Sequence, residues 1–263
     1  MRVAVVGHVE WMEFVRLPHV PVAGEIVHGD PLLQVPAGGG GVAAVQLARW
    51  TGDCRFFTVF GDDELGHRAA EGLRARGVTV HATFRDQPQR RGLSLIDAQR
   101  ERTLLIFGDR MNPHAADDLP WDELDDVDAV YVTGGDTQAL QHARRARVMV
   151  ATSRFQKQLR EAAVPIDALV GSANDKAEHY TGGLDARVVV RTDGSRGGTF
   201  QIGNAIEHYA PVPFEVTGDT YGAGDTFAAG LTLALGEGLE VRAACEAAAR
   251  RATEALDVIG PYR

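Results

Sequence analysis

Short apolar runs alternate with longer helical segments along most of the 263-residue chain. Apolar runs that are rich in valine are typical of strands buried on both faces of a parallel sheet. Such runs predict strands at Val3–Val6, Phe56–Phe60, Ala129–Val132, Val148–Ala151, Ala168–Val170 and Val188–Val190. Strands that alternate with helices predict an α/β fold, with a doubly wound, mostly parallel sheet and helices on both faces.

The segments between and after these strands predict the helical layers. The predicted helices are Gly41–Trp50, Glu64–Arg76, Thr137–Arg145, Asp175–Tyr180, Ala223–Leu235 and Val241–Leu256. In doubly wound folds the ligand crevice lies beyond the carboxyl ends of the strands. We therefore expect the ligand site at that edge of the sheet.

Two segments break the alternation of strands and helices. Residues 14–36 contain four prolines and short strand-like pieces such as Glu25–His28. Residues 89–107 resemble a hairpin, with strands at Arg91–Ile96 and Thr103–Phe107 around a polar turn at Asp97–Arg100. We interpret residues 1–263 as a single domain, in which about 14–36 and 89–107 form a small β lid over the crevice. The alternative is a plain surface excursion.

Composition excludes several classes of protein. A net charge of -9 makes a nucleic-acid partner improbable, and the 44% hydrophobic and 24% charged content is typical of soluble proteins. No run is long enough to span a membrane, and the apolar run at the N-terminus is too short for a signal peptide. We therefore expect a cytoplasmic protein. Cys54 and Cys245 fit no metal-ligand spacing, and no Gly-Lys-Ser/Thr P-loop occurs.

The strongest chemical signal is the turn at residues 219–227, Asp-Thr-Tyr-Gly-Ala-Gly-Asp-Thr-Phe. Small residues let backbone N–H groups converge on an anion, and a helix that begins there adds its positive dipole end. Asp225 would repel a phosphate at this place unless it took a proton from a hydroxyl that attacks a phosphoryl group. A kinase is the leading hypothesis, and a glycine-rich helix start needed only for packing is the alternative.

This turn resembles the C-terminal signature of the ribokinase-like (PfkB) family of carbohydrate and nucleoside kinases. Three further stretches are similar to motifs of that family and occur in the same order. They are Pro36–Gly41 with the following Leu47–Arg49, Gly61–Gly66 with the following Leu73–Val78, and Thr192–Gly198. The resemblance extends over almost the whole chain and implies the ribokinase-like fold.

The resemblance also implies residue roles. Asp225 would be the catalytic base, and the N–H groups of Gly222, Ala223 and Gly224 would form the anion hole. ATP would contact Thr192, Gly194, Gly197 and Thr220. Glu178 would hold Mg²⁺ through water, although the family's asparagine three residues earlier is Asp175 here. Asp219 would help to hold a monovalent cation such as K⁺, or would cap the helix.

The acceptor pocket departs from the family pattern. Gly39 and Gly40 fit it, whereas Glu13 or Glu10 would replace the family's aspartate, and Val42 and Ala43 stand where an asparagine is expected. His8 and Trp11 would line the pocket or merely pack.

The resemblance therefore implies an ATP-dependent kinase that phosphorylates a hydroxyl of a small polyhydroxylated substrate, above all a sugar. The alternatives are a nucleoside kinase and a non-catalytic ligand-binding or regulatory protein. A homodimer formed through the lid, as in some relatives, is a further expectation.

Overall fold

The computed structural model describes residues 1–99 and 101–262, which contain two β-sheets and six α-helices. Arg100, at the end of the predicted polar turn, lies outside the described residues. The strands are β1 (Val3–Val6), β2 (Glu10–Arg16), β3 (Asp30–Ala37), β4 (Cys54–Gly61), β5 (Val78–Arg85), β6 (Arg91–Ile96), β7 (Arg102–Phe107), β8 (Ala129–Val132), β9 (Val148–Thr152), β10 (Ile166–Ser172), β11 (Ala186–Thr192), β12 (Gly198–Ile202) and β13 (Ala205–Tyr209). The helices are α1 (Gly38–Thr51), α2 (Glu64–Arg74), α3 (Thr137–Ala143), α4 (Gln156–Ala162), α5 (Ala223–Gly236) and α6 (Val241–Thr253).

The large sheet has the strand order β13-β12-β11-β10-β9-β8-β1-β4-β5. Strands β11 to β5 in this order are parallel, and β12 and β13 extend one edge as antiparallel strands. Alternate residues of β1 enter two different apolar clusters, because successive side chains of a strand point to opposite faces. Val5 packs with residues of α1, α5 and α6, and Val6 packs with residues of α3 and α4. Helices therefore cover both faces, which confirms the predicted α/β fold class.

Each predicted strand of the large sheet occurs, and five of the six predicted helices occur with shifted ends. The helix predicted at Asp175–Tyr180 is wrong, since only the 3-10 turn Lys176–Glu178 forms there. Asp175 Oδ1 caps this short turn by accepting from Ala177 N, whereas Glu178 Oε2 accepts from Ser172 N at 2.7 Å, at the end of β10. The strand-like piece at Glu25–His28 is also wrong, because β3 begins only at Asp30.

Strands β3, β2, β6 and β7 form a separate small sheet in that order. Strand β2 runs parallel to β6, while β3 and β7 pair antiparallel at the two sides. Met12 and Phe14 of β2 are buried in a cluster with Val42 of α1 and Tyr221 of the glycine turn. The small sheet is therefore packed against the elements that carry the predicted catalytic turn. It also starts earlier than residue 14, because β2 begins at Glu10.

No helix among residues 1–99 and 101–262 is long and apolar enough to cross a membrane.

Candidate active site

A cleft of about 780 Å³ lies at the carboxyl ends of the parallel strands. Its walls include residues at or just after five strand ends: His8, Thr133, Thr152, Ser172 and Thr192. Strand β7 of the small sheet also contributes the side chains of Arg102, Leu104 and Ile106. The cleft therefore lies at the sheet edge predicted from the strand order, with the small sheet forming one of its walls.

The glycine turn lies in the wall of this cleft. Gly222 directly precedes α5 and has a φ of +76°, a conformation that favours glycine. No side chain caps α5, so its first N–H groups have no side-chain partner. A methyl group on Gly224 would have no heavy atom within 4 Å, so there is open space at this position. Thr220, Gly222, Gly224 and Asp225 line the cleft, whereas Ala223 does not.

Asp225 lies in the first turn of α5 and faces the start of α1. A methyl group on Gly39 would come within 2.9 Å of Asp225 Oδ1, so glycine at this position lets the two helix ends approach. Burial in the cleft raises the pKa of Asp225 to about 7, and the negative charges of Glu178 and Glu10 act in the same direction. A carboxylate with a pKa near neutrality is well matched to accept a proton from a hydroxyl group.

Glu178 meets Arg154 beside the cleft. Arg154 donates from Nε and Nη2 to Glu178 Oε1, at 3.0 and 2.7 Å, and Nη2 also donates to Asp175. The main-chain N–H of Ala177, together with Arg154, lowers the pKa of Asp175. Both carboxylates therefore lie at the cleft wall around one guanidinium group. Sequence analysis expected Glu178 at the metal and left Asp175 open.

The predicted nucleotide loop is only partly exposed to the cleft. Thr192 and Gly194 line it, and Gly194 has open space around the position of a side chain. Gly197 does not line the cleft. A methyl group there would come within 2.4 Å of Tyr209 O, and its φ is +83°. Glycine at 197 thus lets the loop pack closely on β13.

The residues predicted to bind the acceptor also divide into some that line the cleft and some that do not. Gly39 and Glu10 line the cleft, whereas Gly40 and Glu13 do not. A methyl group on Gly40 would lie 2.5 Å from His8 O, so this glycine allows α1 to pack below the cleft. Glu13 lies on β2 and accepts from Gln34 Nε2 of β3 at 3.0 Å. Glu10 is therefore the acid that reaches the cleft.

Asp219 is buried and joins the glycine turn to the C-terminal segment. Its Oδ1 accepts from Tyr221 N at 2.6 Å, and its Oδ2 accepts from Gly260 N at 2.8 Å. It does not cap α5, which has no side-chain cap. Among the residues described, there is no group of three or more His, Cys, Asp or Glu that could hold a metal ion.

The profile of the pfkB family carbohydrate kinases matches residues 1–174 and 166–262. The chain belongs to this family. PfkB family carbohydrate kinases are phosphotransferases that use a hydroxyl group as acceptor, which confirms the enzyme class expected from the sequence. No curated protein matches the chain.

Solved structures of PfkB-type kinases share the fold at low sequence identity. A ribokinase from Thermotoga maritima has a TM-score of 0.80 at 19% identity, over 99% of this chain and 94% of that one. A microbiome-derived acarbose kinase has a TM-score of 0.84 at 21% identity, over 100% and 94%. An Arabidopsis thaliana ribokinase complexed with ribose and ATP has a TM-score of 0.77 at 20% identity, over 98% and 93%. These similarities support the ribokinase-like fold.

Four arginines that sequence analysis did not single out line the cleft of this PfkB kinase: Arg90, Arg102, Arg110 and Arg154. Arg90 and Arg110 lie in loops, Arg102 lies on β7, and Arg154 lies in the 3-10 turn Ser153–Phe155, so no local motif marks the set. His8 lines the cleft as well. Its pKa lies well below the usual value, mainly because the ring is buried and also because Arg110 is positively charged. Trp11 instead is buried in the core.

The raised pKa of Asp225 predicts a pH-dependent stability. Between about pH 4 and pH 7 the folded protein retains a proton on Asp225 that the unfolded chain has lost, so the free energy of unfolding falls as pH rises. Asp225→Asn removes this contribution. We expect the variant to gain stability relative to the unmodified protein as pH increases from about 4 to 7, measured as the difference in Tm by calorimetry. A difference in Tm that stays constant over this range would contradict the raised pKa.

The two hydrogen bonds accepted by Asp219 predict a second effect on stability. Asp219→Ala leaves the buried N–H groups of Tyr221 and Gly260 without their acceptor, which we expect to lower the free energy of unfolding by about 2–4 kcal/mol. Urea denaturation measures this loss. Asp118→Ala, at an exposed aspartate, is the control and should change the free energy by less than about 0.5 kcal/mol. Equal effects of the two substitutions would refute the structural role of Asp219.

Proposed function

We propose that this PfkB kinase transfers the γ-phosphoryl group of ATP to a hydroxyl of a small polyhydroxylated acceptor, above all a sugar. The observation that carries the proposal is Asp225, a carboxylate whose pKa is raised to about 7 at the start of an uncapped helix and beside Gly39. This arrangement combines a base of suitable pKa with N–H groups that bind anions.

In the proposed reaction, the acceptor hydroxyl gives its proton to Asp225 while its oxygen forms a bond to the γ-phosphorus. The bond from that phosphorus to the β–γ bridging oxygen breaks, and ADP leaves. The N–H groups at Gly222, Ala223 and Gly224 would stabilise the charge on the transferring group, since their dipoles need no reorganisation. Gly39 and Glu10 would lie on the acceptor side of Asp225, because both line the cleft.

ATP would contact Thr192, Gly194 and Thr220, which line the same cleft. Gly197 would act indirectly, by letting the nucleotide loop pack against β13. An Arabidopsis thaliana ribokinase of the same fold is complexed with ribose and ATP, which supports ATP as the phosphoryl donor.

The residues beside the cleft fit a hydrated Mg²⁺ ion. Glu178 and Asp175 supply two carboxylates there against one guanidinium, that of Arg154. Mg²⁺ keeps several waters in proteins and takes only one or two carboxylates, so Glu178 would hold it through water. When bound, the ion neutralises charge on the ATP phosphates. A contribution of K⁺ near Asp219 stays a prediction.

Replacing the proposed base tests this function. Asp225→Asn cannot accept the proton, so we expect kcat for phosphoryl transfer to fall by about 10²- to 10⁴-fold, while ATP binding changes little. A coupled assay of ADP release over a panel of sugars and nucleosides measures transfer, and calorimetric titration with an ATP analogue measures binding.

Asp118→Asn is the matched control, since Asp118 is exposed and does not line the cleft. Turnover by Asp225→Asn equal to that of this control would rule out Asp225 as the base. If phosphoryl transfer occurs only to nucleosides, the protein is a nucleoside kinase and not a sugar kinase. Ligand binding with no transfer to any acceptor would favour a binding protein.

The homodimer formed through the small sheet is a further proposal. Strand β7 is at the edge of that sheet, and its Leu105 and Phe107 are 44% and 47% exposed. An edge strand with exposed apolar side chains can pair with a second copy. We expect light scattering after gel filtration to give a dimer mass that Leu105→Lys converts to the monomer mass. A monomer at all concentrations would exclude this dimer.

A further inference from the structure

The acceptor side of the cleft is positively charged, although the chain has a net charge of -9. Of the four arginines in the cleft wall, Arg154 is paired with Glu178 and Asp175. The other three, Arg90, Arg102 and Arg110, lie around the start of α1. What balances their charge decides which acceptor the cleft can bind.

Arg90 is already balanced by a carboxylate. Its Nε donates to Glu10 Oε1 at 2.7 Å, and its Nη1 donates to Gly108 O at 3.2 Å. Glu10 is only 8% exposed, and its carboxylate is the acidic group closest to this arginine. The pair therefore contributes little net charge to the cleft.

Arg110 has no such partner. Its Nη2 lies 2.9 and 3.0 Å from the two ring nitrogens of His8, and its Nε is buried with no hydrogen-bond partner. Burial keeps His8 neutral, so its ring offers one acceptor nitrogen to the five N–H groups of the guanidinium. Among the described residues, no carboxylate lies within 4.0 Å of Arg110, and Asp225 and Glu10 act on it only from a longer distance.

Arg102 is the second guanidinium without an acidic partner. It lies on β7, and its Cζ is 5.7 Å from the ring centroid of Tyr221. The hydroxyl of the same tyrosine accepts from Gly38 N at 3.2 Å, which places Arg102 near the start of α1. Over residues 1–99 and 101–262 it forms no ion pair. A contact with an aromatic ring attracts a cation weakly and does not neutralise its charge.

Among the described residues, Arg102 and Arg110 thus remain without a carboxylate partner, and both line the cleft that Gly39 and Asp225 also line. We propose that the acceptor carries an anionic group, a phosphate or a carboxylate, in addition to the hydroxyl that is phosphorylated, and that Arg102 and Arg110 bind this group. Guanidinium groups suit this task because they donate in pairs to planar carboxylates and to phosphates. The proposal rests on the proposed kinase function and narrows its acceptor to sugar phosphates and sugar acids.

The two arginines lie on different walls of the cleft, so each would have a different role in binding the anion. Arg110 lies beside the buried His8 and would hold the anion in place. Arg102 shares its face of β7 with Leu104 and Ile106, which also line the cleft. The small sheet would therefore bring one charge and an apolar wall toward the bound acceptor. Exclusion of water by that wall strengthens the ionic contacts.

Matched pairs of acceptors test the proposal. The pairs are fructose with fructose 6-phosphate, ribose with ribose 5-phosphate, and glucose with gluconate. Calorimetric titration with a non-hydrolysable ATP analogue and Mg²⁺ present measures acceptor binding independently of turnover, and the coupled assay gives kcat and KM. We expect the charged member of at least one pair to bind about tenfold or more tightly than its neutral twin, because removing a buried ionic contact costs at least about 1.4 kcal/mol. The phosphate and carboxylate pairs distinguish the two kinds of anion.

Substitutions connect this preference to the two arginines. Arg102→Met and Arg110→Met should each reduce the preference for the charged member about tenfold, with the KM for ATP nearly unchanged. Arg102→Lys should retain part of it. Because Arg102 is partly exposed, Arg102→Met is expected to fold, and it tests the proposal by itself if Arg110→Met does not fold. Arg187→Met, at an exposed arginine outside the cleft, is the control and should keep the preference.

The outcomes separate this proposal from the kinase function. Transfer to neutral sugars that depends on Asp225, with no preference for charged acceptors, overturns the anionic acceptor and leaves the kinase intact. If anion binding depends on Arg102 and Arg110 but no phosphoryl transfer occurs, the anion site is supported and the kinase function is ruled out. No acceptor binding at all, an unchanged preference in both Met variants, or a raised KM for ATP alone overturns the anion site.

Discussion

The close approach of two helix starts is the constraint on which the rest of the site depends. Gly38 N donates to the hydroxyl of Tyr221, and a side chain on Gly39 would collide with Asp225. Because the residues at the start of α1 are small, the start of α5 can lie against it at the carboxyl edge of the sheet. The proposed anion hole, the proposed base and the proposed acceptor wall are thereby held in one cleft. The small sheet is fixed to the same junction through Phe14, whose ring contacts Tyr221.

The charged side chains of the cleft form three groups that differ in how far positive and negative charges neutralise each other. Glu178 and Asp175 surround Arg154 on the nucleotide side, and Glu10 pairs with Arg90 on the acceptor side. Among the described residues no cation forms an ion pair with Asp225, so burial and the neighbouring carboxylates raise its pKa to about 7. The same separation leaves positive charge on the acceptor side. The proposed base and the proposed anion-binding wall thus follow from one distribution of charges.

Local patterns predicted the large sheet well, because a strand buried on both faces must be apolar along its whole length. They missed β2, whose face toward the cleft begins with Glu10. They also missed β5 at one edge of the large sheet and β12 and β13 at the other. They also predicted a helix at Asp175–Tyr180, where the acidic side chains bond to the main chain and to an arginine instead. The glycines at 40 and 197 fit the family motifs, yet they serve close packing outside the cleft wall.

The sequence by itself determined the fold class, the family and the class of chemistry, phosphoryl transfer to a hydroxyl group. Those depend on periodicity and on short motifs such as Gly222–Asp225, whose residues act together because they are neighbours in the chain. Only the tertiary structure decided that Glu10 reaches the cleft in place of Glu13. It also decided that Arg102 and Arg110 lie there with no acidic partner in the part of the chain that the structure describes. These residues come from separate strands and loops. Their roles depend on which strand face is buried and which charges meet across the cleft, and neither is encoded in local sequence.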